Sequence, residues 1–313
     1  MDELHTFLFE GKPVRGLFVR LSRGWPSLLS RREPGDEHPP AVRRLLGEMT
    51  AAAVLMHANL RYAGTLVLQI FGDGPVKLAV VEVQPGLGYR STAKVIGAVD
   101  DAADLVSMVN ATGAGRCAIT LDPADKSRGQ QPYQGVVDLR AGRGVASVLE
   151  HYMQQSEQLF TRFVLAADDD SAGGMLVQRL PREGEGNLEG RRGASSDDAE
   201  VAFEHASVLA GTLTDDELLR GDVMAVLRKL YWEDDLRMFE PRRPAFACRC
   251  SRERVRSMLQ SLGRGEVVSV LEERGEVEIA CDFCGLRYRF DAVDVGEMFA
   301  SRVDQPPGSS AIN

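Results

Sequence analysis

Apolar and polar positions along this chain repeat with two different periods, and the places where the period changes mark out its elements. Residues 39–64, PPAVRRLLGEMTAAAVLMHANLRYAG, open on two prolines. They set Val42, Leu45, Leu46, Met49, Ala53, Met56 and Leu60 at helical spacing before Gly64, which predicts a long core helix. The period then drops to two. TLVLQIF (65–71) and VKLAVVEV (76–83) flank GDGP, and Asp73-Gly74 between two alternating runs predicts a β-hairpin. CAITLD, YQGVVDL, TRFVLA and GGMLVQRL predict further strands, and VASVLEHYMQQSEQ (145–158) an intervening helix. Strands and helices do not alternate regularly over residues 1–180, so the expected class is α+β, with a mixed sheet and helix core domain, rather than a doubly wound sheet.

The pattern disappears at 181–200, PREGEGNLEGRRGASSDDAE, where Leu188 is the single large apolar residue. Such a stretch cannot bury enough surface to offset its ordering entropy, so it reads as a flexible tether. Helical spacing returns over 201–240. VAFEHASVLAGTL is followed by TDDELLRGDVMAVLRKLYWEDD, with Thr214 as N-cap, Glu217 as its capping-box partner and Val223, Val226, Leu227 and Leu230 as an apolar stripe. Short amphipathic helices of this kind draw most of their stability from the neighbour they pack on. Together 181–240 reads as a tether and a metastable helical linker. DLRMFEP is then expected to lead as a strand into a small C-terminal domain, 241–313.

Composition narrows the choice of function. The chain has 313 residues, 44% of them hydrophobic, which is ample for a core, and a net charge of -9. That acidity argues against a nucleic-acid partner, and residues 241–290 taken alone are only mildly basic. No run of about 18 apolar residues and no basic leader is present, so the expectation is a soluble, cytoplasmic protein with no membrane partner. Five cysteines are too few for a disulfide scaffold. Four of them fall in two close pairs, Cys248-Arg249-Cys250 and Cys281-Asp-Phe-Cys284.

Two thiol pairs about thirty residues apart suit a tetrahedral zinc site, and all five histidines lie outside the segment. The expected ligands are therefore Cys248, Cys250, Cys281 and Cys284 around one Zn2+. A domain of this size draws only ~3–5 kcal/mol from its core, against apparent zinc-binding energies of ~10–16 kcal/mol, so metal loss should unfold it. Ser251 is the expected N-cap of a helix over SRERVRSMLQSLG. GEVVSVLEER is a second helix, and EVEIACDFCGLRYRF a hairpin with the second pair at its turn. Arg249, Arg252, Arg254 and Arg256 read first as a solvated helix face, and otherwise as compensation for four thiolates. Cys117, alone in a strand-like run, reads as a small buried hydrophobe.

The one-residue spacer leaves two roles open. A disulfide across Cys-X-Cys closes a small, strained ring that is readily reversed, and zinc-bound sulfurs are held as the thiolates that peroxide attacks. A redox switch and a static knuckle both satisfy this spacing. A zinc ribbon that binds nucleic acid and a thiol oxidoreductase using Cys281 and Cys284 are the other classes. The latter lacks a thioredoxin-like flanking pattern. GDGP lacks the Gly-Lys-Ser/Thr of a phosphate loop, Asp168–Asp170 read as solvated loop acids, and Tyr231 and Trp232 as parts of a packed helix face.

CRCSRERV followed by CDFCGLRYRF closely resembles the C-terminal signature of the thirty-three-kilodalton heat-shock family, the redox-regulated holdase chaperones of bacteria. LFEGKPVRG, GDGPVKLAV, YQGVVDL, YMQQSEQLFTR and AGGMLVQRL resemble family motifs in family order, over nearly the whole chain. The resemblance implies a protein that is not an enzyme and is inactive while Cys248, Cys250, Cys281 and Cys284 hold one zinc. It further implies that oxidants form two disulfides, Cys248 with Cys250 and Cys281 with Cys284, and release the metal. The linker then unfolds, a monomer becomes a homodimer, and exposed apolar surface captures unfolding client proteins without ATP. The client-binding residues themselves are not identified by these motifs. The chain departs from the family pattern in a longer, more Gly-rich 181–200 and in Phe160, where proline is common.

Overall fold

The computed structural model describes residues 1–60, 62–125, 131–139, 144–181 and 196–300, so 182–195 of the expected tether lie outside the described residues, and its last five residues, 196–200, are instead helical. The chain divides into two compact units, Met1–Cys248 and Arg249–Asn313.

The first unit contains β1 (Glu3–Phe9), β2 (Val14–Leu21), α1 (Gly24–Leu29), α2 (Pro40–Asn59), β3 (Gly64–Phe71), β4 (Val76–Val83), β5 (Gly88–Val95) and α3 (Leu105–Val109). It continues through β6 (Arg116–Pro123), β7 (Tyr133–Asp138), α4 (Val145–Ser156), β8 (Thr161–Ala167), β9 (Ala172–Arg179), α5 (Ser196–Ala210), α6 (Asp215–Arg220), α7 (Val223–Leu230), β10 (Leu236–Met238) and β11 (Ala245–Phe246). Two sheets result, one ordered β10-β1-β2-β9-β8 and the other β11-β5-β4-β3-β6-β7. The class is α+β. The expected hairpin is present, with β3 and β4 antiparallel and Ile70 opposite Ala79.

The expected core helix is α2. It starts at Pro40 and ends at Asn59, five residues before the glycine anticipated as its stop, because the backbone turns extended at Leu60. The helix packs on β2, β8 and β9 of one sheet and on β3, β4 and β5 of the other. A helix between two sheets has no solvent side, which explains why Ala51, Ala52, Ala53, Val54 and Leu55 are all buried in succession. Two of its buried polar side-chain atoms find backbone partners. Thr50 Oγ1 donates to the Leu46 carbonyl at 2.6 Å, and His57 Nε2 meets the Gly64 carbonyl at 2.9 Å.

β1 and β2, which the alternation did not flag, bury residues on both faces, and Glu3, His5, Thr6, Arg15 and Arg20 break up their apolar positions so that no period-two pattern stands out. Leu17, Val19 and Leu21 point to the α2 side, whereas Val14 and Phe18 point to the opposite face together with Phe7, Phe9, Met175 and Val177. Gly16 lies opposite Phe7, and a Cβ there would sit 2.1 Å from the Phe7 ring. The missing side chain lets that ring lie over the strand.

The second face is covered by α5, α6 and α7. Ala202, Ala206, Ala210, Leu218, Leu219, Val223, Val226, Leu227 and Tyr231 complete its cluster with Phe7, Phe9 and Phe18. Thr214 caps α6 as expected, in a reciprocal box with Glu217. The single helical run expected from 214 onward is broken at Gly221, whose backbone is extended, and Asp222 caps α7 by accepting from the Ala225 amide at 2.8 Å. Tyr231 is buried, but Trp232 is 77% exposed, which corrects its placement on a packed face. The helix ends at Leu230, so Trp232 lies in the following turn. β10 pairs with β1, and β11 runs parallel to β5, so residues 236–246 belong to the sheets of the first unit.

In the second unit, α8 (Arg252–Leu262), α9 (Arg264–Arg274), the hairpin β12 (Val277–Ala280) and β13 (Arg287–Phe290), and α10 (Ala292–Phe299) surround Leu259, Val267, Val277, Phe290, Val295 and Met298. α10, not anticipated from the sequence, is capped by Asp291 and Asp294 in a reciprocal box.

Candidate metal centre

The two cysteine pairs are shaped by different local devices. Cys248 and Cys250 lie in the extended segment just before α8. Ser251 caps that helix by accepting from the Arg254 amide at 3.3 Å, and Arg254 Nη1 reaches back to the Arg249 carbonyl at 2.8 Å. The helix start thereby fixes the loop between the two sulfurs. Cys281 and Cys284 form the turn of the β12–β13 hairpin. The Cys281 amide donates to the Leu286 carbonyl at 2.9 Å and the Gly285 amide to the Cys281 carbonyl at 2.8 Å. Gly285 has φ +75°, a left-handed geometry that glycine adopts without cost, and it turns the chain back directly after the second sulfur.

These devices bring the Sγ atoms of Cys248, Cys250, Cys281 and Cys284 within 4.8 Å of one another, with Cys250 and Cys284 at 3.5 Å. Zn–S bonds of about 2.3 Å give a tetrahedron with edges of about 3.8 Å, so the cluster has the dimensions of a four-thiolate site. Cys284 is buried and the other three are half-buried. The hydrogen bond from Cys281 and then burial push the Cys284 thiol well up, against a smaller opposing pull from the Leu286 amide. Four thiolates cannot share so small a volume unless a cation offsets their charge. A divalent metal that takes soft sulfur ligands is what this donor set fits.

The structure adds one residue to the site. The Tyr288 hydroxyl faces Cys250, and burial followed by that contact raises its pKa. Only the hairpin register, which sets Tyr288 opposite Ile279, reveals this position. Of the four nearby arginines, Arg252 is structural. Its Nη2 pairs with Asp294 at 2.7 Å, its Nη1 donates to the Arg289 carbonyl at 2.8 Å, and its guanidinium stacks 4.3 Å over Phe290.

Other singled-out groups take no part in this centre. Cys117 is buried in β6, and desolvation pushes its thiol up to about 12, the behaviour of an inert core residue. Asp168–Asp170 form a tight turn held by hydrogen bonds and ion pairs. Asp168 accepts from the Asp170 and Ser171 amides and pairs with Arg220, and Asp169 makes a two-pronged contact with Arg43 at 2.7 and 2.8 Å. Phe160 packs where β8 begins, with the Arg179 guanidinium 3.9 Å over its ring and Phe203 at 6.4 Å.

Similarity to known proteins covers nearly the whole chain. A 33 kDa chaperonin of Chromobacterium violaceum is 44% identical over 299 residues, spanning 95% of this chain and 94% of that protein. A 33 kDa chaperonin of Neisseria meningitidis serogroup A is 42% identical, over 96% of this chain and 93% of the other. These relatives are named as chaperonins, not as enzymes. The crystal structure of the 33 kDa chaperonin (heat shock protein 33 homolog) from Thermotoga maritima shares the fold, with a TM-score of 0.69 at 20% identity over 95% of this chain and 98% of that one. The family described as Hsp33 protein matches residues 2–291, and with that match this chain belongs to the Hsp33 family.

Proposed function

We propose that this protein is a redox-regulated, ATP-independent holdase chaperone of the cytoplasm, and that the four clustered thiols are its switch. The observation that carries the reading is the set of four sulfurs within 4.8 Å, drawn from a Cys-X-Cys and a Cys-X-X-Cys pair. In the reduced state Cys248, Cys250, Cys281 and Cys284 would hold one zinc, which would keep all four sulfurs as thiolates. With peroxide as oxidant, each pair gives two electrons to one H2O2. A sulfur–sulfur bond forms within the pair, Cys248 with Cys250 and Cys281 with Cys284, and the O–O bond breaks. Each peroxide takes up two protons and leaves as two waters. With its four ligands consumed, the metal is released.

Oxidation then shifts the population toward a state in which α5–α7 no longer cover the sheet. The surface this frees is aromatic and aliphatic: Phe7, Phe9, Phe18, Met175 and Val177 on the sheet, and the inner faces of α5–α7. Apolar surface of that extent suits unfolding client proteins, and it also suits the pairing of two oxidised copies, a reduced monomer becoming a homodimer. Neither nucleic acid nor membrane enters the scheme, and among the described residues no helix is long and apolar enough to cross a membrane.

The test is a peroxide titration that follows zinc release, free thiols and suppression of client aggregation together. The reading expects four thiols to disappear with one zinc, and suppression to appear with them. Equal suppression by reduced and oxidised protein would remove the switch, and retention of metal and thiols throughout would leave a static knuckle.

A further inference from the structure

We propose that Asp234 is the latch that holds α5–α7 on the first unit, keeping the sheet face beneath them closed to unfolded polypeptide. Its carboxylate side chain is 2% exposed, yet it is contacted by two cationic or potentially cationic groups from different parts of the chain. Lys12 Nζ pairs with Oδ1, and Lys12 sits in the turn between β1 and β2, on the sheet itself. His205 Nε2 lies 3.1 Å from Oδ2, and His205 is on α5. Asp234 follows α7, in a turn where its amide donates to the Tyr231 carbonyl at 3.0 Å. One buried carboxylate therefore joins the sheet, the first helix of the cover and the end of the last.

The surroundings make this junction a point of leverage. Tyr231 donates from its hydroxyl to the Ala206 carbonyl of α5 at 3.1 Å and sets its ring edge-on to Phe9 at 4.8 Å. The Glu10 amide donates to the Asp235 carbonyl at 2.9 Å. Burial works to raise the Asp234 pKa, but Lys12 and His205 outweigh it and hold the group below the usual carboxylate range, so the latch is an anion. Lys12 and His205 are each partly exposed and can rehydrate on separation, whereas Asp234 stays dry until the segment lifts. Removing one partner of such a contact strands the buried charge, and removing the charge itself strips both contacts of their ionic part together. The pair Arg220–Asp168, also between the cover and the sheet, is half-exposed on its arginine side and screened by solvent, so it cannot act in the same way.

The proposal rests on the chaperone reading only for what the closed face is for, since the latch is a contact of the reduced protein. The experiment compares full-length, reduced, zinc-loaded protein with its Asp234→Asn, Lys12→Met and double variants. It reads amide hydrogen exchange, zinc content, free thiols and suppression of client aggregation. Asp234→Asn should speed exchange in α5–α7 roughly 10- to 100-fold, the scale of a charge-assisted hydrogen bond, with α2 still protected, zinc and thiols unchanged, and aggregation suppressed without oxidant. Lys12→Met should act in the same direction, and the double variant should exceed the larger single effect by little, because both remove one junction. Wild-type exchange in α5–α7 of Asp234→Asn, effects that multiply in the double variant, or loosening without client capture where oxidised wild-type protein does capture client, would each overturn the latch. Should Asp234→Asn melt the whole unit, Lys12→Met decides, and unchanged exchange there overturns it. Oxidised wild-type protein run alongside keeps the two readings apart. If it captures no client the chaperone reading fails, while the exchange comparison in reduced protein still decides whether Asp234 holds the cover.

Discussion

The two faces of the five-stranded sheet are buried in opposite ways. One face is covered by α2, a single helix of 20 residues that also carries the second sheet on its far side. The other is covered by three short helices of 15, 6 and 8 residues whose outer side meets solvent, with Val201, Val208 and Trp232 exposed there. Both covers are apolar where they touch the sheet. The difference is in what else depends on them. Removing α2 would open both sheets at once, whereas α5–α7 can lift and leave α2 and the six-stranded sheet in place. Burial alone does not make an element permanent; being shared between two neighbours does.

The sharpest way to break this comparison is a matched pair of core truncations. Leu46→Ala in α2 and Leu227→Ala in α7 each delete a fully buried leucine and should each cost about 2–5 kcal/mol. Leu46→Ala should lower the midpoint of global unfolding, while Leu227→Ala should appear mainly as faster exchange and proteolysis within residues 200–235. Equal loss of global stability from both would show one cooperative core. Thr214→Ala, which removes the hydroxyl that accepts from the Glu217 amide and leaves the return bond from the residue-214 amide to Glu217, should cost about 1 kcal/mol, again confined to the cover and read as local exchange.

A further effect, read against pH, concerns Glu48, on α2, near Asp215 at the start of α6. Burial, and to a lesser degree Asp215, raise its pKa from 4.5 to about 7, with Arg44 opposing. A raised carboxyl pKa means that the folded protein keeps a proton the unfolded chain has given up. Its stabilising contribution is whole below about pH 4.5 and is lost as pH climbs to about 7. Glu48→Gln should flatten that part of the stability profile, measured by denaturant unfolding between pH 4.5 and 8. An unchanged profile would mean that Glu48 titrates normally.

Most of the local structure was legible in the sequence because it is set by short-range rules. Thr214 with Glu217, Ser251, the Asp73-Gly74 hairpin and the Cys-X-X-Cys turn each need only a few neighbouring residues. The four cysteines were legible for the same reason: two short spacers and an absence of nearby histidine suffice to nominate them. What stayed hidden depends on distant partners. β1 and β2 bury residues on both faces, and polar residues such as His5, Thr6 and Arg20 sit among the apolar ones, so the alternation that marks a half-exposed strand is lost. The placement of β10 beside β1, the exposure of Trp232 and the approach of Tyr288 to Cys250 follow from register and from where a helix stops. Asp234 was one acid among many until the fold set Lys12, some two hundred residues earlier, against it.

The helical cover is fastened to the sheets on both sides along the chain. Before it, the Leu180 amide bonds to the Pro13 carbonyl at 2.9 Å at the end of β9, and after it β10 zips onto β1. Lifting α5–α7 therefore opens a closed loop rather than freeing an arm. The entropy of such a loop grows only with the logarithm of its length, about 0.6 kcal/mol for each doubling, so the added residues of the Gly-rich sequence before α5 add little to the cost of closing it again. Re-covering is a first-order event whose rate is independent of protein concentration, while any client that occupies the face arrives by a second-order one. On the proposed chaperone reading, how long the face stays open would be decided by a race between a tethered segment and a diffusing competitor, and the outcome would shift with the amount of unfolded protein in the surroundings.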